Sequence, residues 1–138
     1  MILVAEDDED DRELVRAAFD DARVACGLEF VNDGRDLLEY LRGEAGYAGR
    51  PRPSIIMLDL NMPRMDGREA LLEIRADEEL KEIPVLVLST SSDDADVHLS
   101  YRAGANSFIS KPVTHAGLVE VMRRVRDYWL ELVTLPSV

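Results

Sequence analysis

The sequence predicts an α/β domain, a parallel sheet with helices on both faces. Two observations carry that prediction. Short apolar runs alternate roughly five times with stretches of helical spacing, the pattern of repeated βα units. The runs are also apolar throughout rather than every second residue, as in parallel strands covered on both sides. The handedness of βαβ crossovers then restricts how such a sheet is wound.

The strands read, in order, Ile2 to Ala5, Leu28 to Val31, Ser54 to Leu58, Val85 to Leu88 and Ser107 to Ser110. Between them, Leu14, Val15, Ala18 and Ala22 mark one face of a first helix, and Leu37, Leu38 and Leu41 mark a second. A third, opened by Gly67, is lined by Ala70, Leu71 and Ile74. Val97, Leu99, Tyr101 and Ala103 suggest a fourth with a weaker pattern. Leu118, Val121, Met122, Val125, Trp129 and Leu132 give a long fifth. The stretch from Gly43 to Pro53 is rich in glycine and proline and reads as a surface loop without a catalytic role.

A chain of 138 residues fits one domain, and its formal net charge of −12 argues against a nucleic-acid backbone as partner, since such binding draws on Lys and Arg. Cys26 cannot form an internal disulfide, and with His98 and His115 it cannot complete a zinc site. The apolar runs fall far short of the ~20 residues a membrane span needs, and no signal peptide opens the chain. A reducing cytoplasm is the simplest location.

In a doubly wound sheet the site lies beyond the carboxyl ends of the strands. After the first strand stand Glu6-Asp7-Asp8-Glu9-Asp10-Asp11. Glu9, Asp10 and Asp11 suit a helix N-terminus, whose dipole favours acids. Glu6 and Asp7 can serve the same purpose or supply oxygen ligands to a hard cation. The third strand ends at Asp59, which is either a capping residue or an acid that needs a partner at the end of an apolar run. If Glu6, Asp7 and Asp59 converge, a cation belongs among them. Magnesium suits the set, because it takes one or two carboxylates, keeps waters and leaves room for phosphate oxygens. Ser89 follows the fourth strand, as a helix cap or as a donor to a phosphoryl oxygen. Lys111-Pro112 follows the fifth, where the ammonium is a solvated edge charge or a phosphate partner. A cis Lys111–Pro112 bond is one way to aim that lysine inward.

The order of these residues, an acid pair, an acid, a hydroxyl and then Lys-Pro at successive strand ends, resembles the receiver domain of bacterial two-component response regulators over nearly the whole chain. The resemblance implies a flavodoxin-like (βα)5 three-layer sandwich with strand order 2-1-3-4-5. It implies that residues 1–131 form the receiver and residues 132–138 a tail. It casts Asp59 as acceptor of a phosphoryl group from a sensor histidine kinase. It makes Asp7 a direct magnesium ligand, Glu6 one acting through water, and Asn61 a ligand through its backbone carbonyl. Ser89 takes the place of the switch hydroxyl, Phe108 that of the switch aromatic and Lys111 that of the phosphoryl contact. Phe108 also suits plain packing beside a core strand. Glu6 stands where aspartate is commoner, and Thr90 where many receivers carry a smaller residue. Asn61 and Ser91 occupy the positions that tune dephosphorylation.

The Gly46 to Pro53 linker, the run Leu86 to Ser91 and the ending from Tyr128 to Pro136 are similar to small response regulators paired with cyanobacterial and bacterial phytochromes. That implies a bacteriophytochrome kinase as donor. Tyr128, Trp129, Leu130, Val133 and Leu135 lie past what is needed to cover the sheet, and a contiguous apolar patch there marks a homodimer interface. The alternative is a tail folded onto its own domain. The fifth helix reaches the carboxyl end, leaving no room for a DNA-binding module. Two other readings stay open: a phosphate shuttle or sink within a phosphorelay, and a phosphohydrolase with an aspartyl nucleophile. The latter typically needs a second aspartate where Asn61 stands.

Overall fold

Apolar runs become five strands in a computed structural model that describes all residues except 63, 92 and 138. They are β1 (Ile2–Ala5), β2 (Leu28–Val31), β3 (Ile55–Leu58), β4 (Val85–Ser89) and β5 (Ser107–Ser110). All pair in parallel in the order β2-β1-β3-β4-β5, so the flavodoxin-like winding is observed. The three inner strands β1, β3 and β4 are buried at every position, which is why they lack polar alternation.

The connecting helices are α1 (Glu9–Asp21), α2 (Gly34–Arg42), α3 (Gly67–Ala76), α4 (Asp94–Ala103) and α5 (His115–Val125). Four start on a side-chain cap. Asp8 accepts from the N–H of Asp10 and Asp11, Asp33 from that of Asp36, Asp66 from that of Glu69, and Thr114 from that of Gly117. Each such cap stabilises by about 1 kcal/mol. Gly43 and Gly104 end α2 and α4 in the left-handed conformation that glycine adopts without penalty.

Two apolar layers sandwich the sheet. Leu3, Ile56, Leu58 and Val87 pack beneath Leu37, Leu71 and Ile74 of α2 and α3. Ile2, Val4, Met57, Leu86 and Leu88 pack beneath Val15 and Phe19 of α1 and Leu118 and Met122 of α5. Helix α4 is the exception. It buries only Ser100, and Leu99 and Tyr101, expected on its inner face, are 43% and 50% exposed.

The long fifth helix changes pitch. After Val125 the chain widens into a π-helix from Arg126 to Leu132. The residues expected to have nothing to cover find a surface in their own chain: Trp129, Leu130 and Leu135 pack against the α1/α5 layer. Pro136 and Ser137 lie beside Pro53 and Pro84 at the amino ends of the strands. The tail therefore folds back, and among the residues expected at an interface Tyr128 stays most open, at 49% exposure.

Candidate functional site

Register places the acids. Ala5 pairs with Leu58, so the next residues, Glu6 and Asp59, leave neighbouring strands at the same level. Ligand oxygens of Glu6, Asp7 and Asp59 lie within 4.8 Å of one another. Gly67 is what lets the β3–α3 turn close here. A Cβ on it would lie 2.4 Å from the Asp59 carbonyl oxygen, a distance no side chain accommodates.

Lys111 crosses the site from the end of β5. Its Nζ donates to Glu6 Oε1 at 2.9 Å and lies 3.6 Å from Asp11 Oδ2. The Lys111–Pro112 bond is trans, since there is no cis peptide among the described residues, in contrast to the cis geometry considered above. The lysine is directed instead by its own backbone N–H, which donates to the Ser89 carbonyl at 2.7 Å. Ser89 itself is fully buried as the last residue of β4. Its Oγ accepts from the Ser91 N–H at 3.2 Å, which leaves the O–H able to donate elsewhere. The Asn61 N–H donates to Asp59 Oδ1 at 3.3 Å.

Electrostatics in this pocket are unbalanced. Burial pushes the Glu6 carboxyl above its ordinary value even though Lys111 opposes the shift. Burial likewise pushes Asp59 up, with Asp7 adding to the effect and the Asn61 N–H and Lys111 opposing it. Burial disfavours the Lys111 ammonium, but Glu6, Asp11 and Asp59 together hold its pKa above the ordinary lysine value. One ammonium does not neutralise three clustered carboxylates. An all-oxygen, hard donor set short of positive charge fits a divalent cation such as Mg2+. Between Glu6, Asp59, Lys111 and Leu88 there is a cavity of about 10 Å³, on the scale of a single water.

Glu6, Asp7, Asp59 and Lys111 are thus brought together, with Ser89 and Asn61 beside them. Phe108 is not in the cluster. It is half-buried on β5, packed against the α2/α3 layer, and its N–H donates to the Tyr101 hydroxyl at 3.2 Å. Tyr128 and Trp129 are not in the cluster either: they line a groove with Asn106 and Ser107 at the amino end of β5. Several partners escaped the sequence reading. Asp11, assigned to the helix dipole, also faces Lys111. Ser91 Oγ donates to Asp96 Oδ2 at 2.6 Å, and Arg68 pairs with Asp96 at 2.7 Å. The contacts of Lys111 with Asp11 and of Arg68 with Asp96 join separate elements, so no local pattern announces them, whereas Ser91 reaches only five residues ahead into α4.

A family profile described as the response regulator receiver domain matches residues 2–123. The chain belongs to this family. The receiver is 37% identical to response regulator Rcp1 of Synechocystis sp. PCC 6803, with 99% of this chain and 93% of Rcp1 covered. Its fold superposes on the Mn2+-bound form of Rcp1 with a TM-score of 0.89 at 38% identity, covering 99% and 98% of the two chains. It superposes on the phosphorylated cyanobacterial phytochrome response regulator RcpA with a TM-score of 0.92 at 40% identity, covering 99% and 97%. RPA3017, a response regulator in red light signalling of R. palustris, gives 0.94 at 36% identity, covering 99% and 98%. Receivers are signalling domains that take up a phosphoryl group and bind Mg2+, and Rcp1 has been crystallised with a divalent ion. Among the described residues, no helix is long and apolar enough to cross a membrane.

Proposed function

We propose that this receiver accepts a phosphoryl group on Asp59 from a sensor histidine kinase of the bacteriophytochrome class and signals through altered protein contacts. One observation carries the reading: Glu6, Asp7 and Asp59 crowd within ligand distance of one another with Lys111 reaching in among them. Crowded carboxylates of this kind are unfavourable unless a cation offsets their charge, and a cation held there is what neutralises the oxygens of an incoming phosphoryl group.

Asp59, Asp7 and the Asn61 backbone carbonyl would hold the ion directly. Glu6, already bound to Lys111, would act from one layer further out. When bound, Mg2+ supplies charge neutralisation for the carboxylates and the equatorial phosphoryl oxygens. An Asp59 carboxylate oxygen attacks phosphorus, the P–N bond to the kinase histidine breaks, and the imidazole leaves with a proton. Lys111 stabilises the charge on the transferred group. In the product, the Ser89 O–H donates to a phosphoryl oxygen and Phe108 moves into the space left behind. Because the Phe108 N–H is joined to Tyr101, that movement is felt by α4 and by the face it shares with β5 and α5.

We assign residues 1–131 to the receiver and residues 132–138 to a tail, and place a homodimer on Tyr128, Trp129, Leu130, Val133 and Leu135. Support comes from an open groove of about 570 Å³ lined by Ile109, Val121, Tyr128 and Trp129. Against it stands the docking of Leu130 and Leu135 on their own domain. Truncation after Tyr128 should lower the solution mass from dimer to monomer, and an oligomeric state that truncation leaves unchanged would contradict the dimer. The kinase assignment is tested by mixing the receiver with a radiolabelled bacteriophytochrome kinase. Label should move to the receiver and stay on the kinase when Asp59→Asn replaces it. Transfer to the mutant would contradict the assignment of Asp59, and no transfer from any phytochrome kinase would contradict the assignment of the donor.

A further inference from the structure

The turn after β2 has no part in the chemistry above, yet both carboxylate-bearing loops are tied to it. On the β1 side, Arg12 Nε donates to the Glu6 backbone carbonyl at 2.7 Å, and Arg12 Nη2 donates to Asn32 Oδ1 at 2.5 Å. On the β3 side, Arg64 grips Asp33 with two bonds, Nε to Oδ2 at 2.7 Å and Nη2 to Oδ1 at 3.1 Å. The Gly34 N–H donates to the Met65 carbonyl at 3.0 Å. A Cβ on Gly34 would meet that carbonyl oxygen at 2.7 Å, so glycine is what permits the approach.

The turn is itself braced. Asp33 Oδ1 also accepts from the Asp36 N–H at 2.8 Å, and Asp36 Oδ2 accepts from the Asn32 N–H at 2.8 Å. Tyr47, from the loop before β3, donates its hydroxyl to Asp36 Oδ1 at 2.8 Å. Asp33 and Asp36 are both buried. Burial alone would raise the Asp33 carboxyl, but Arg64 and the Asp36 N–H hold it below its ordinary value, so it stays ionised as an anchor.

We propose that the Asn32–Gly34 turn is a positioning element for the cation site, clamping the Glu6–Asp7 loop through Arg12 and the Asp59–Asn61 loop through Arg64. The proposal rests on the reading of Glu6, Asp7 and Asp59 as that site. Before a cation arrives, three carboxylates repel one another and favour splayed loops. Bonds made to the outside of both loops hold them at ligand spacing, so less ordering is left for the binding step.

Two explanations of an Arg12 or Arg64 substitution predict opposite signs. Removing a positive charge near an acidic cluster should tighten cation binding if only the field matters. Removing a clamp should weaken it. The experiment measures Mn2+ affinity from the electron paramagnetic resonance signal of the free ion, with thermal unfolding in chelator as a control. Positioning predicts that Arg12→Ala and Arg64→Ala each weaken Mn2+ binding by about tenfold, the lower end of what outer partners of metal ligands contribute. Asn32→Ala, which changes no charge, should weaken it by a smaller factor while the melting temperature in chelator stays near wild type. Affinity that is unchanged or tighter in these variants overturns the clamp. Absence of Mn2+ binding by the wild-type protein overturns the cation site itself, and the clamp with it.

Discussion

Lys111 Nζ lies 2.9 Å from Glu6 Oε1, with the two side chains 9% and 4% exposed. The pair joins residues 105 positions apart and links the ends of β1 and β5, which are separated in the sheet by β3 and β4. Buried pairs contribute little net stability, but removing one partner strands the other charge. Lys111→Ala is therefore expected to cost about 3 kcal/mol in urea unfolding, and Glu6→Gln in the same background should recover part of that loss. Additive losses in this double-mutant cycle would show that the pair is not coupled. The Lys111→Ala protein should still be modified at Asp59 by acetyl phosphate while losing the shape change, read as unaltered kinase affinity after modification.

Gly67 supports the acceptor loop by having no side chain. Gly67→Ala places a methyl group 2.4 Å from the Asp59 carbonyl oxygen, and the next nearest atoms are also backbone. Nothing flexible can yield, so the loop must move. The variant should lose about 2 kcal/mol, as overpacked sites do, and should bind Mn2+ more weakly than wild type. Equal unfolding midpoints for the two proteins would contradict the packing described here.

Tyr47 offers a spectroscopic check on the loop between α2 and β3. Burial and its bond to the Asp36 carboxylate push its phenol up to about 12 from an ordinary 10.0. The folded state thus favours the protonated phenol. That contribution is complete below the unfolded value near pH 10 and is lost as pH rises through about 12. Tyr47→Phe should remove the last phenolate transition in an alkaline absorbance titration and lower stability at neutral pH. Removal of an earlier transition, near the ordinary tyrosine value, would show that the bond to Asp36 is not kept.

These residues also show what a linear reading reaches. The strands were legible within a residue or two, because burial on both faces leaves an unbroken apolar run, as at Ile55 to Leu58. The acids were legible because such a run stops abruptly at Glu6 and at Asp59. Helix α4 was harder, since only Ser100 is buried on it and Leu99 and Tyr101 point outward while Ala103 packs against the core cluster. The apolar spacing reads through Leu132 as one regular helix, but the π-helical widening after Val125 turns that face, and Leu132 is 74% exposed. Arg12, Arg64 and Tyr47 give no sign of their roles in the sequence, because their partners are a carbonyl, an amide and carboxylates that only the fold brings near. A loop set aside as irregular, Gly43 to Pro53, proves to be tied to α2, with Tyr40 donating to the Pro51 carbonyl at 3.0 Å.

The most direct test is intact-mass measurement after incubation with acetyl phosphate and Mg2+. The wild-type receiver should gain the mass of one phosphoryl group, lose it on treatment with hydroxylamine, and gain nothing when Mg2+ is chelated. Asp59→Asn should gain nothing under any of these conditions. Modification of the Asp59→Asn protein to the wild-type extent would contradict the account, because the acceptor would then lie elsewhere.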